Sequence, residues 1–203
     1  MAGSANLAIL PGFDDAPRQS QTVFRAVMDA LARPATVQNL GMLLQPPAPL
    51  TPELAAIALA LADHDAPIWL DATLAAHPAV AAYLRFHTGA PIVSDPKDAV
   101  FALVADPTAM PSFDSFALGS EDYPDRSTTI VIAVDRVESG EGVWIEGPGM
   151  AVPALLAVTP MPSDFQSQVS DNHALFPRGV DLVFAAAGRL VALPRSSRLS
   201  KEP

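Results

Sequence analysis

The run Thr128-Thr129-Ile130-Val131-Ile132-Ala133-Val134 constrains this chain more than any other segment. It is β-branched almost throughout and apolar at odd and even positions alike. Side chains of a strand alternate between the two faces of its sheet, so this run needs cover on both. It therefore belongs centrally in a covered sheet. Shorter β-like runs at residues 68–70, 100–104, 143–145, 152–158, 180–185 and 190–193 surround it, separated by Gly and Pro. Helical patterns interleave with and precede them. Residues 18–32 place Val23, Phe24, Val27, Met28 and Leu31 on one apolar stripe, and Pro34 forces a stop at Arg33. A second helix opens with Thr51 as N-cap and Pro52 in its first turn, and is apolar nearly all round over residues 54–62. A third covers residues 78–86, with Gly89 just beyond, and a fourth residues 163–175, with Ser163 as N-cap. The expected fold is α/β, a three-layer α/β/α sandwich with a mixed sheet.

Composition bounds the chemistry. Half of the 203 residues are apolar and 17% are charged, the opposite of a disordered chain. At this length about 70% of the surface is buried on folding, enough for one full core. A single domain over residues 1–203 is expected, its ordered core spanning about 12–197, with tails at 1–11 and 198–203. The 45–52 stretch, with four prolines, resembles a linker, but neither flank has the strands for a core of its own. Twelve Lys+Arg against 22 Asp+Glu give a net charge of −10, which argues against nucleic-acid binding. Without cysteine there is no disulfide, cysteine-held metal cluster or thiol nucleophile. Residues 1–10 lack the basic residues of a signal peptide, and the longest interior apolar run, 54–62, is too short to span a bilayer. A cytoplasmic location without membrane association is expected.

The familiar catalytic signatures, G-x-x-x-x-G-K-[ST], G-x-G-x-x-G, H-E-x-x-H and G-x-S-x-G, are absent. Asp63-His64-Asp65 offers metal-ligand chemistry, but adjacent residues seldom converge on one ion, and a solvated helix exit accounts for them. His87 and Thr88 stand where a helix ends before Gly89-Ala90-Pro91. They either present an imidazole to a ligand or partner, or satisfy the helix's last carbonyls. Tyr123-Pro124-Asp125-Arg126 precedes the central strand. Arg126 either completes an anion site with the hydroxyls that follow or pairs with Asp125 across a turn. Gly147-Pro148-Gly149 suits a sharp turn better than a phosphate cradle, since Pro148 has no N–H. Asp181, on an apolar strand, requires a donor partner or exposure. Arg195 closes the last strand. No metal site is assigned.

These motifs fall in a recognisable order. Gly12-Phe13-Asp14, Ser20-Gln21-x-x-Phe24-Arg25-x-x-Met28-Asp29-x-x-Ala32-Arg33-Pro34 and Phe86-His87-Thr88-Gly89 come first. Tyr123-Pro124-x-Arg126-Ser127-Thr128-Thr129, Gly147-Pro148-Gly149, Asn172, Phe176-Pro177-x-Gly179-Val180-Asp181 and Leu193-Pro194-Arg195 follow. Together they resemble the PhnH subunit family of carbon–phosphorus lyase over residues 12–197. Met150 replaces an expected isoleucine, and Ser196-Ser197 stand where threonines are usual.

The resemblance implies a subunit of the core complex of phosphonate metabolism. That complex replaces the adenine of ATP with a phosphonate to give a ribose 1-phosphonate 5-triphosphate, whose C–P bond a different, radical-enzyme subunit later cleaves. It also implies a fold similar to the large domain of pyridoxal-phosphate-dependent transferases, a homodimer in isolation, and assembly with the other core subunits. It supplies no catalytic residue. The only lysines are Lys97, between Asp95 and Asp98, and Lys201, near the end. Neighbouring carboxylates favour a protonated amine, which is a poor Schiff-base nucleophile. The expectation is thus an accessory, non-catalytic transferase subunit without a cofactor, with His87, Thr88, Tyr123, Arg126 and Arg195 as candidate ligand or partner contacts. The alternative is a stand-alone phosphonate- or nucleotide-binding enzyme whose pocket gathers His87, Arg126 and Arg195.

Overall fold

In chain order the helices are α1 (Ala16–Ala32), α2 (Pro52–Leu61), α3 (Ala72–Ala75), α4 (Pro78–Thr88) and α5 (Phe165–Ala174). The strands are β1 (Gln38–Asn39), β2 (Ile68–Leu70), β3 (Ile92–Val93), β4 (Phe101–Val104), β5 (Thr129–Ala133), β6 (Arg136–Glu146), β7 (Ala154–Thr159), β8 (Asp181–Ala186), β9 (Arg189–Leu193) and β10 (Arg198–Leu199). This is a computed structural model, which describes residues 9–41 and 44–200. Lys201 and residues 1–8 of the N-terminal segment lie outside the described residues.

Strand β5 is the middle of a seven-stranded mixed sheet of order β1-β9-β8-β5-β4-β2-β3. The five strands β3, β2, β4, β5 and β8 run parallel, and β9 and β1 add antiparallel pairs at one side. Along β5, Ile130 and Ile132 join one core cluster, while Val131 and Ala133 join the other. All four are buried, and each of the larger three contributes about 1.5–3 kcal/mol by leaving water.

One face carries helices α1, α2 and α4, as expected. The other differs. The β-like runs at residues 143–145 and 152–158, expected as further strands of the main sheet, instead fall in β6 and β7 of a second sheet of order β10-β6-β7. This small sheet and α5 supply Val137, Ile145, Leu156, Val158, Phe165 and Val169 to the second cluster. The second outer layer is therefore largely β. The first half of strand β6 escaped notice in the sequence, because the segment Glu138-Ser139-Gly140-Glu141-Gly142 is polar and glycine-rich. A register shift between Ser139 and Val143 accommodates it. Strand β10 carries the ordered fold past Ser197, where the tail was expected to begin.

Helix starts follow the sequence signals closely. Thr51 caps α2 by accepting the Leu54 N–H, and Gly89 ends α4 in the left-handed region at φ 74°. Two expectations fail. Ser163 is not the N-cap of α5, since Asp164 holds that position and makes no side-chain cap. In α1 the buried residues are Val23, Ala26, Val27 and Ala30, whereas Phe24 and Met28 are about half exposed. The alanines let α1 lie close on α2 and β9, which turns the stripe away from the larger side chains.

Strands β8 and β9 are joined by Ala187 and Gly188, both at positive φ (51° and 73°), a two-residue hairpin turn of the twist-matched kind. The Gly188 N–H donates to Oε1 of the buried Glu53 in the first turn of α2, at 2.7 Å.

Candidate functional site

The beginnings of β5 and β8 and the end of β9 lie side by side. Asp181 opens β8, and because β9 returns antiparallel to it, Arg195 arrives beside that carboxylate. Oδ1 of Asp181 accepts the Arg195 backbone N–H at 2.8 Å and Nε–H at 3.1 Å, while Oδ2 accepts from Nη2. Both side chains are largely buried, which answers the need of Asp181 for a donor partner. The remaining arm, Nη1, donates to the carbonyl of Pro124. The guanidinium thereby fixes the loop ahead of the central strand.

That loop is built tightly. Leu118 and Ser127 face each other across its neck, and Ser120 and Tyr123 exchange bonds within it. Gly119 sits at φ 71°, and a Cβ there would lie 2.8 Å from the Pro124 oxygen, so no other residue fits without a shift. Arg178 adds an ion pair to Glu121 at 3.2 Å. At the tip, Tyr123 is about half exposed, and the Arg126 guanidinium stacks 4.3 Å from its ring centroid. The pairing of Asp125 with Arg126 considered above does not form. Nor does the anion site, because the Thr128 hydroxyl turns inward to donate to Ala99 O at 2.7 Å and Ser127 is buried.

His87 and Thr88 stand elsewhere. Thr88 donates to Leu84 O at 2.7 Å and accepts from Ala90 N–H, closing the end of α4. His87 Nε2 lies 2.9 Å from the Leu10 carbonyl, which makes it the donor to that oxygen. Tyr83 contacts the imidazole, and its hydroxyl donates to Pro11 O, so the pair straps residues 10–12 onto the helix. Burial raises the Tyr83 pKa above the ordinary phenol value. No hydrogen bond, ion pair or ring contact among the described residues joins His87 to Arg126 or Arg195. His87 lines a hollow with Gly12, Phe13 and Leu59 to which neither arginine contributes, which does not favour the stand-alone-enzyme expectation.

Asp63-His64-Asp65 forms an exposed turn in which Asp63 accepts the Asp65 N–H and His64 lies 3.3 Å from Asp65. The Gly147-Pro148-Gly149 turn is closed by Met150 N–H to Gly147 O, with Gly149 at φ 86° against the last turn of α1. Asn172 is a clamp. Its amide donates to Val180 O and accepts from Val180 N–H, fixing α5 to β8. Sequence reasoning missed a cavity of about 450 Å³ between the Gly147-Pro148-Gly149 segment, the end of α5 and residues 196–198. Its signal was present in the two quoted motifs, Gly147-Pro148-Gly149 and Phe176-Pro177, that the fold brings together there.

With the geometry described, the chain can be compared with known proteins. A family model described as "Bacterial phosphonate metabolism protein (PhnH)" matches residues 11–200. The chain belongs to the PhnH family. Among curated relatives it is 40% identical over 190 residues to the alpha-D-ribose 1-methylphosphonate 5-triphosphate synthase subunit PhnH of Rhizobium meliloti (strain 1021), covering 94% of each chain. It is also 31% identical over 83 residues to the putative C-P lyase subunit protein HtxG of Stutzerimonas stutzeri, 41% of this chain and 43% of that one. The PhnH match takes in the Arg195–Asp181 latch, the Tyr123–Arg126 tip and the cavity alike. No helix among the described residues is long and apolar enough to cross a membrane.

Proposed function

We propose that this chain is an accessory subunit of the carbon–phosphorus lyase core complex, acting in phosphonate degradation through protein contact rather than through chemistry of its own. The observation that carries this reading is the 40% identity, over nearly the whole of both chains, to a named subunit of ribose 1-methylphosphonate 5-triphosphate synthase. In this reading the chain is a cytoplasmic homodimer in isolation and meets the other subunits through the Tyr123–Arg126 tip. A tyrosine and an arginine, held rigid on a latched loop, are the residue types that dominate interface energetics. The fold is that of the large domain of pyridoxal-phosphate transferases, working without the cofactor. Lys97 fits the cofactor-free reading, being exposed on a surface turn whose backbone N–H is capped by Asp95.

The test is adenine release from ATP and methylphosphonate. The purified chain alone yields none; the chain mixed with partner subunits yields adenine, and omission of the chain from that mixture abolishes or sharply reduces it. Release by the chain alone overturns the accessory reading.

A further inference from the structure

The cavity beside the small sheet has the composition of a binding site. Pro148, Met150, Val152, Pro153 and Phe176 form apolar walls, and Phe176 and Val152 leave 58% and 71% of their surface open. The walls are fixed before any ligand arrives. Phe176 N–H bonds to His173 O at 3.0 Å, and the turn at Gly149 is wedged so closely on α1 that a Cβ would lie 2.1 Å from Ala32 O.

One edge is polar. Glu146 and Arg198 oppose each other across β6 and β10, joined Nε to Oε1 at 2.9 Å. That bond uses one carboxylate oxygen and one guanidinium nitrogen. Among the described residues, an acceptor and two donor groups stay available side by side. Ser196 adds a hydroxyl, and His173 lies on the wall with its Nδ1 buried and unpartnered among the described residues.

Charge selects the class of ligand. Arg198 is already neutralised by Glu146, so an anion would have to lie beside a carboxylate. The volume of 450 Å³ corresponds to roughly fifteen waters at about 30 Å³ each, room for one or two fused rings with substituents. We propose that this cavity binds a neutral planar heterocycle with an amide-like edge. The ring lies against Phe176, and the edge takes one hydrogen bond from Arg198 and gives one to Glu146.

The test is an NMR titration of the full chain with nicotinamide as the probe and orthophosphate as the comparison. Nicotinamide is expected to shift the amide signals of Ala151, Val152 and Ser196 in a saturable way below about 10 mM. Phe176→Ala weakens it at least about fivefold, the loss of one ring–aromatic stack. Glu146→Gln weakens it by a comparable factor, and both variants keep wild-type melting temperatures within a few degrees. Absence of saturable shifts overturns the proposal, as does wild-type affinity in either variant or a stronger response to orthophosphate. Burial of these residues only on addition of partner subunits makes the cavity a docking surface instead, and overturns it too.

Discussion

Arg195 holds both carboxylate oxygens of Asp181 and at the same time reaches the Pro124 carbonyl, so one side chain couples the last strand of the main sheet to the loop before its central one. Removing either charge leaves the other buried and unpaired, which costs about 3–5 kcal/mol. Arg195→Ala and Asp181→Ala should each lower the unfolding free energy by that amount in urea titrations. Arg195→Lys should not restore it, because a single ammonium cannot serve the carboxylate and Pro124 together.

Substitutions at the tip of the same loop should behave in the opposite way. Tyr123→Ala and Arg126→Ala remove an exposed stack worth about 0.5–1 kcal/mol, so melting temperatures should hardly change. Co-purification with the other core subunits should fall at least tenfold. Wild-type recovery of partners by both variants would move the contact surface elsewhere on the molecule.

The fold was legible in the sequence where one physical signal dominated. The β-branched run around Ile130 to Ile132 fixed the middle of the sheet, and Thr51-Pro52 and Gly89 fixed helix ends, because caps and prolines act locally. Residues 18–32 were misread in orientation. Hydrophobicity favours burial of Phe24 and Met28, yet close packing against β9 is open only to the Ala26 and Ala30 face. The glycine-rich middle of β6 hid a long strand, since its pairing rests on the partner strand and not on its own side chains. Arg126 and Arg195 were legible as residues worth naming, but the partner of Arg195, Asp181, is decided by how β8 and β9 fold back, while Arg126 turns onto Tyr123 within its own loop. The cavity was not read from the sequence, although two of its motifs were quoted, because only the fold brings together segments about twenty residues apart.

Gly149→Ala should be among the most damaging small substitutions. Its φ of 86° disfavours any side chain, and the added carbon collides with the Ala32 carbonyl, which is helix backbone and cannot swing aside. A loss of about 2 kcal/mol or more is expected in denaturant titration.

Tyr83 gives the fold an alkaline limit. Burial raises its pKa in the folded chain above the unfolded value. Below about pH 10 its contribution to stability is complete, and it declines as the pH rises through the folded value, since the unfolded phenol ionises first. Unfolding measured between about pH 8 and pH 11 should show this decline in the wild type. Tyr83→Phe should be slightly less stable at neutral pH, having lost the bond to Pro11, and should decline less steeply above pH 10.

The bond from Gly188 to Glu53 spans 135 positions and bears on how the chain is made. A ribosome delivers α2 long before the β8–β9 hairpin, so the carboxylate that the finished fold encloses must wait in water for its donor. Strand β1, which pairs with β9, waits as well. The amino-terminal helical layer is thus provisional until the β8–β9 hairpin is made, and a chain that stops short of Gly188 leaves that carboxylate without its donor.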